Sequence, residues 1–259
     1  MAFALAVHHF LEAAQKTGCP VCRIANQASE KALESFLWEN VNEPDVRQGI
    51  LDSYGFCPTH TRVMVARELF TSSIPLGTNI IYEHLGRVTA NELKTIHPHS
   101  RRNIFAPILQ WLSQWIDPAV FQRTQPVLTP KGECPACKVA HQAASNSVHL
   151  LCEEVQRTVT AGGNADIHTA YLASDGLCLS HLRLAIETQS ERFPKAVLFL
   201  RDDAVHRLEQ HSRDMKEYIR KNNWTYRDEK LTEAEDLAWR KTLGFFTGIP
   251  GETFTHKVD

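Results

Sequence analysis

Apolar residues recur at helical spacing along most of the chain. Phe3, Leu5, Ala6, Val7, Phe10, Leu11 and Ala14 form one stripe, which stops before Gly18, a residue suited to a helix C-terminus. A second stripe of Ile24, Ala28, Ala32, Phe36 and Leu37 predicts a helix over 22–40, with Pro20 in its first turn. Similar patterns cover 42–54, 78–97, 106–116, 165–174 and 193–222, and TRVMVARELF and LRLAIETQ read as helices as well. No segment alternates apolar and polar residues as a half-buried strand does. The expected fold class is all-α.

The cysteines then divide this helical chain into two copies of one pattern. Cys19, Cys22, Cys57 and His60 read CPVC, 34 intervening residues, CPTH; Cys134, Cys137, Cys178 and His181 read CPAC, 40 intervening residues, CLSH. The likeness extends past these residues, since CRIANQA from Cys22 matches CKVAHQA from Cys137, and SYGFCPTHTR from Ser53 matches SDGLCLSHLR from Ser174. A spacing this unusual, repeated with its neighbours, points to a duplicated metal-binding module. The expectation is a bundle of two such modules, each closing a Cys3His site with its own CPxC and CxxH pair. Gly55 and Gly176 break the chain before each CxxH, and Pro20 and Pro135 suit a helix start, so every ligand pair is expected to open a helix. Residues three apart share a helical face there, and unsatisfied backbone N–H groups stabilise thiolates.

Three thiolates and one imidazole form a closed tetrahedral set suited to structural zinc, so two zinc ions are expected. Two iron–sulfur clusters are the alternative, because cysteine and histidine also ligate iron. A thioredoxin-like dithiol would need a preceding strand, which neither motif has. Arg62 and Arg183 share an offset from the histidines and either hydrogen-bond to metal-bound sulfur or lie solvated on a helix face. His141, four residues after Cys137, is a weaker ligand candidate, because Asn26 stands at that position in the first copy. The seventh cysteine, Cys152, reads as a buried helix residue.

Prolines 118, 126 and 130 mark a connection, dividing the chain into a first module over 1–117, a linker over 118–132, a second module over 133–200 and a helical extension over 201–259. In that extension Ala204, Val205, Leu208, Met215, Tyr218 and Ile219 line one face of a charged helix expected to lie across the modules. Thr232 and Glu235 have capping-box spacing, and Trp239, Phe245 and Phe246 are expected to pack in a core.

A formal charge of −2 and a pI near 6.7 supply no field to attract nucleic acid, which is not an expected partner. No run approaches the ~18 apolar residues of a membrane span. The N-terminus lacks a basic start, and His8, His9, Glu12 and Lys16 interrupt any signal-like apolar core, so the protein is expected in the cytoplasm, where seven thiols remain reduced. GxSxG, HExxH and phosphate-cradling glycine motifs are absent, and no catalytic residue is assigned. The expected function is a metal-stapled scaffold for a protein partner; the alternative is an electron-transfer protein carrying one cluster per module.

CPVC with GFCPTH, CPAC with GLCLSH, and the later stretches YIRKNNWTYRDE and EDLAWRKTLGFFTG together resemble an uncharacterised prokaryotic family over nearly the whole chain. The second copy departs from the pattern at Leu177 and Leu179 and keeps its ligands. The resemblance implies a helical protein with two Cys/His sites, and it supplies no substrate.

Overall fold

The computed structural model describes residues 2–94, 128–161, 166–226, 228–250 and 253. The helix expected over 106–116 and most of the 118–132 connection lie outside the described residues. Among the described residues the chain is all-α, with ten α-helices and no strand. These are α1 (Ala2–Ala14), α2 (Pro20–Trp38), α3 (Pro44–Asp52), α4 (Pro58–Ser72), α5 (Leu76–Lys94), α6 (Pro135–Ala161), α7 (Asp166–Ala173), α8 (Leu179–Gln189), α9 (Pro194–Lys221) and α10 (Glu233–Thr247). Five of them open on proline, whose fixed φ suits the first helical position and whose missing N–H would find no partner there in any case. No helix among the described residues is long and apolar enough to cross a membrane.

The helices form two compact units, and these do not follow the two sequence copies. Unit 1 joins Met1–Ala32 to Ala136–Asp259, while unit 2 is the intervening Leu33–Pro135. The first helix and the first thiol pair therefore belong with the second copy and the tail. Packing accounts for this: α1 lies against α7, and Phe10 and Val21 are buried in one core with Val148, Leu151, Tyr171 and Leu200. Burying each such side chain is worth about 1.5–3 kcal/mol. Cys152 is in that core as expected, fully buried, and burial pushes its thiol up to about 12.

In unit 1, α9 packs against α8 and α10. Its apolar stripe is buried at Ala204 and opens to solvent toward Val205 and Ile219. The capping box forms, with Thr232 accepting from the Glu235 N–H and the Glu235 carboxylate accepting in return from the Thr232 N–H. Lys221 also donates to both Glu235 carboxylate oxygens at 2.8 Å, fastening the start of α10 to the end of α9. Of the aromatic cluster, Phe245 packs on the core, whereas Phe246 is more than half exposed.

Unit 2 holds α3, α4, α5 and the end of α2 around Leu33, Leu37, Ile50, Phe56, Met64, Ile81 and Leu85. Glu68 is buried with them at 1% exposure. Its carboxylate accepts from the Gly77 N–H (2.5 Å), the Thr78 N–H (3.1 Å) and the Thr78 hydroxyl (2.6 Å), satisfying orphan donors at the start of α5.

Candidate metal centres

Each CxxH pair is aimed by the same local turn. Gly55 and Gly176 take φ values of +96° and +80°, a left-handed conformation that lets the chain reverse immediately before the cysteine. A Cβ at either position would also be crowded, coming within 3.2 Å of the Tyr82 hydroxyl or the Arg207 Nε respectively. A serine braces each turn: Ser53 donates to the Gly55 carbonyl at 2.9 Å, and Ser174 accepts from the Gly176 N–H at 3.1 Å. Cys57 and Cys178 then stand as extended N-cap residues of α4 and α8, with His60 and His181 one turn on. Cys22 and Cys137 lie in the first turns of α2 and α6, each preceded by a cysteine just outside its helix.

The structure brings together all eight expected ligands, in pairs that cross between the copies. Cys19 and Cys22 meet Cys178 and His181; Cys57 and His60 meet Cys134 and Cys137. Within each group, one ligand atom per residue lies within 4.8 Å of all the others. The expected closure of each site inside its own copy is thereby corrected: the outermost pairs of the chain meet each other, and the inner pairs meet each other. Loop closure discriminates weakly among such pairings, because doubling a loop costs only about 0.6 kcal/mol. The decision falls to packing, which places α1 and the start of α2 in the core that also carries α8.

In the outer site, the Cys22 and Cys178 sulfurs are 3.5 Å apart, and the His181 Nδ1 lies 3.5, 3.3 and 3.2 Å from Cys19, Cys22 and Cys178. Cys19 and Cys178 are buried, Cys22 and His181 half-buried. In the inner site, the His60 Nδ1 lies 3.3 Å from the Cys57 sulfur and 3.6 Å from that of Cys134. Cys134 is buried there and the other two cysteines are half-buried. His141 is exposed and joins neither group.

Crowding couples the protons of the outer site. Hydrogen bonds from Cys19 and then Cys22 hold the Cys178 thiol far below its ordinary value, and the same contact with Cys178 holds Cys22 far above it. Burial pulls His181 down, but hydrogen bonds and charge from Cys178 and Cys19 outweigh it and push the imidazole up to about 10. The sulfurs and the ring thus share protons through short contacts, and a cation entering the set would displace them.

Contacts around the two sites repeat the crossing. Gly18, just before Cys19, donates its N–H to Asp175 of the second copy at 2.7 Å, and Asp175 also faces Lys241 of α10 at 3.4 Å. Lys131 and Gly132, just before Cys134, donate to the Asp52 carbonyl of the first copy at 2.7 and 3.2 Å. The tail adds one more element to the outer site: Gly248, the left-handed cap of α10 at φ +73°, lies so close that a Cβ there would be 3.0 Å from the Cys22 sulfur. Asp175 stands just before Gly176 and Gly248 caps α10, and no sequence spacing connects either to the cysteines. Arg183 pairs with Glu187 at 2.7 Å and Arg62 reaches the Pro58 carbonyl at 3.4 Å, so both contacts lie along their own helices rather than at a sulfur.

Over residues 5–251 the chain matches DUF6062, a family of unknown function. The chain belongs to that family. The span matched to DUF6062 takes in all eight ligands and the tail through Gly248. No curated protein and no solved structure matches the chain.

Proposed function

We propose that each Cys3His group holds one structural zinc ion and that the protein is a non-enzymatic helical scaffold for a protein partner. The observation that carries this reading is the crowding of four ligand atoms within 4.8 Å in each group. Zinc bonds of about 2.3 Å to sulfur and about 2.0–2.1 Å to nitrogen, at tetrahedral angles, give sulfur–nitrogen edges of about 3.6 Å and sulfur–sulfur edges of about 3.8 Å. The separations of 3.2–3.6 Å described above lie at or inside those edges. An iron–sulfur cluster places at least two irons and their bridging sulfides between its ligands, and so calls for a wider set.

Four protein ligands leave a zinc ion no open position for water or substrate, which favours a structural role over a hydrolytic one. Leu69, Phe70, Ile74 and Leu76 are exposed around the turn between α4 and α5, with Phe70 at 92%, and exposed apolar groups of this kind suit a protein partner. Six cysteines gathered into two Cys/His groups accord with a reducing compartment such as the cytoplasm. Anaerobic purification followed by elemental analysis and a visible spectrum tests the metal assignment. A colourless protein with two zinc ions per chain is the expected result. A brown protein containing iron and sulfide would replace this reading with electron transfer.

A further inference from the structure

Cys22 differs from the other two sulfurs of its site. Cys19 and Cys178 are 5% and 2% exposed, whereas Cys22 is half-buried. A cavity of about 260 Å³ opens beside it, lined by Cys19, Cys22, Asn26, Gln27, Gly248 and Pro250 among others. Gly248 lines the same cavity and has no side chain to cover the sulfur; any Cβ there would sit 3.0 Å from the Cys22 sulfur. The sulfur of Cys178 waits 3.5 Å away on the protected side. A small soluble molecule thus reaches one sulfur of the site, with a second sulfur 3.5 Å behind it.

We propose that Cys22 is a site of oxidative modification by peroxides, and that its oxidation releases the metal of the outer site. The inference rests on the zinc reading above. The Cys22 thiolate attacks one oxygen of hydrogen peroxide, the O–O bond breaks, and sulfenic acid and hydroxide result. The Cys178 thiolate then attacks the Cys22 sulfur, forming the disulfide and expelling the second hydroxide. Two electrons pass from the two sulfurs to the peroxide, and two protons from solvent convert the hydroxides to water. The zinc ion keeps one thiolate and one imidazole of its four ligands and dissociates.

The test uses the full chain, prepared anaerobically with its zinc content measured first. Hydrogen peroxide is added below stoichiometry, released zinc is followed with a chromogenic chelator, and the cysteines are mapped by mass spectrometry without reduction. A Cys22–Cys178 crosslink should dominate, and its amount should equal the zinc released. Asn26→Trp and Gln27→Trp, at exposed positions on the cavity wall, should retain both zinc ions and slow the release several-fold. A dominant product within the inner site, oxidation spread evenly over the seven cysteines, or release unchanged in both tryptophan variants would overturn the proposal. Absence of zinc before any peroxide is added would instead refute the zinc reading itself.

Discussion

The two Cys/His sites are built from the same motifs and secured differently. The inner site is set by backbone hydrogen bonds from Lys131 and Gly132 to the Asp52 carbonyl, and by Tyr82, which accepts from the Phe56 N–H at 3.4 Å. The outer site is secured by side chains from distant parts of the chain: Asp175 joins Gly18 to Lys241, and the α10 cap presses Gly248 on Cys22. The two copies share their cysteines and histidines and the glycine turn. Their surroundings differ, and among the described residues the tail cap lies against the outer site.

The largest effect that separates the sites should come from the ligands. Structural zinc contributes about 10–16 kcal/mol of apparent binding in small zinc-finger peptides, so losing one ligand removes most of the folding support at its site. Cys178→Ser should lower zinc to one ion per chain and raise hydrogen exchange in α1, α8 and the start of α2, leaving α4 protected; Cys57→Ser should reverse that pattern. Next in size is Asp175→Ala, which removes the acceptor of the partly buried Gly18 N–H and the carboxylate facing Lys241. Urea unfolding of unit 1 should show a loss of about 1–3 kcal/mol, the cost of a hydrogen bond to a charged group, together with faster zinc exchange at the outer site only. Tyr54→Phe, at the matching position of the first copy, removes only a hydroxyl bonded to Glu92 and should leave both zinc ions in place.

A smaller change follows at Gly248→Ala. Left-handed strain for an L-residue is about 1–2 kcal/mol, and the added methyl must displace the Cys22 sulfur, so stability should fall by about that amount with the inner site unaffected. The smallest belongs to Arg62→Ala and Arg183→Ala. Both side chains lie along their own helix surfaces, and each variant should keep two zinc ions and stay within about 0.5 kcal/mol of the parent in urea.

Much of this was legible in the chain because it is local. Pro20 and Pro135 begin helices, Thr232 and Glu235 form their box, and the eight cysteines and histidines that the repeat singled out are the ones brought together, although the first helix ends at Ala14 rather than just before Gly18. Local spacing is silent on which CPxC meets which CxxH, since either choice supplies three thiolates and one imidazole. The partition into units was hidden for the same reason: Phe10 and Val21 carry the same apolar signal whichever core receives them. Asp175 and Gly248 are invisible in sequence because their roles depend on residues more than 150 positions away for Asp175, bonded to Gly18, and more than 200 for Gly248, packed on Cys22.

The crossed pairing is the central claim, and zinc counts in two double variants test it most directly. Cys19→Ser with Cys178→Ser strikes one site twice and should leave one zinc ion per chain, whereas Cys19→Ser with Cys57→Ser strikes both sites and should leave none. The opposite result, one ion retained when Cys19 and Cys57 are replaced together and none when Cys19 and Cys178 are, would mean that each copy closes on itself and would contradict the account.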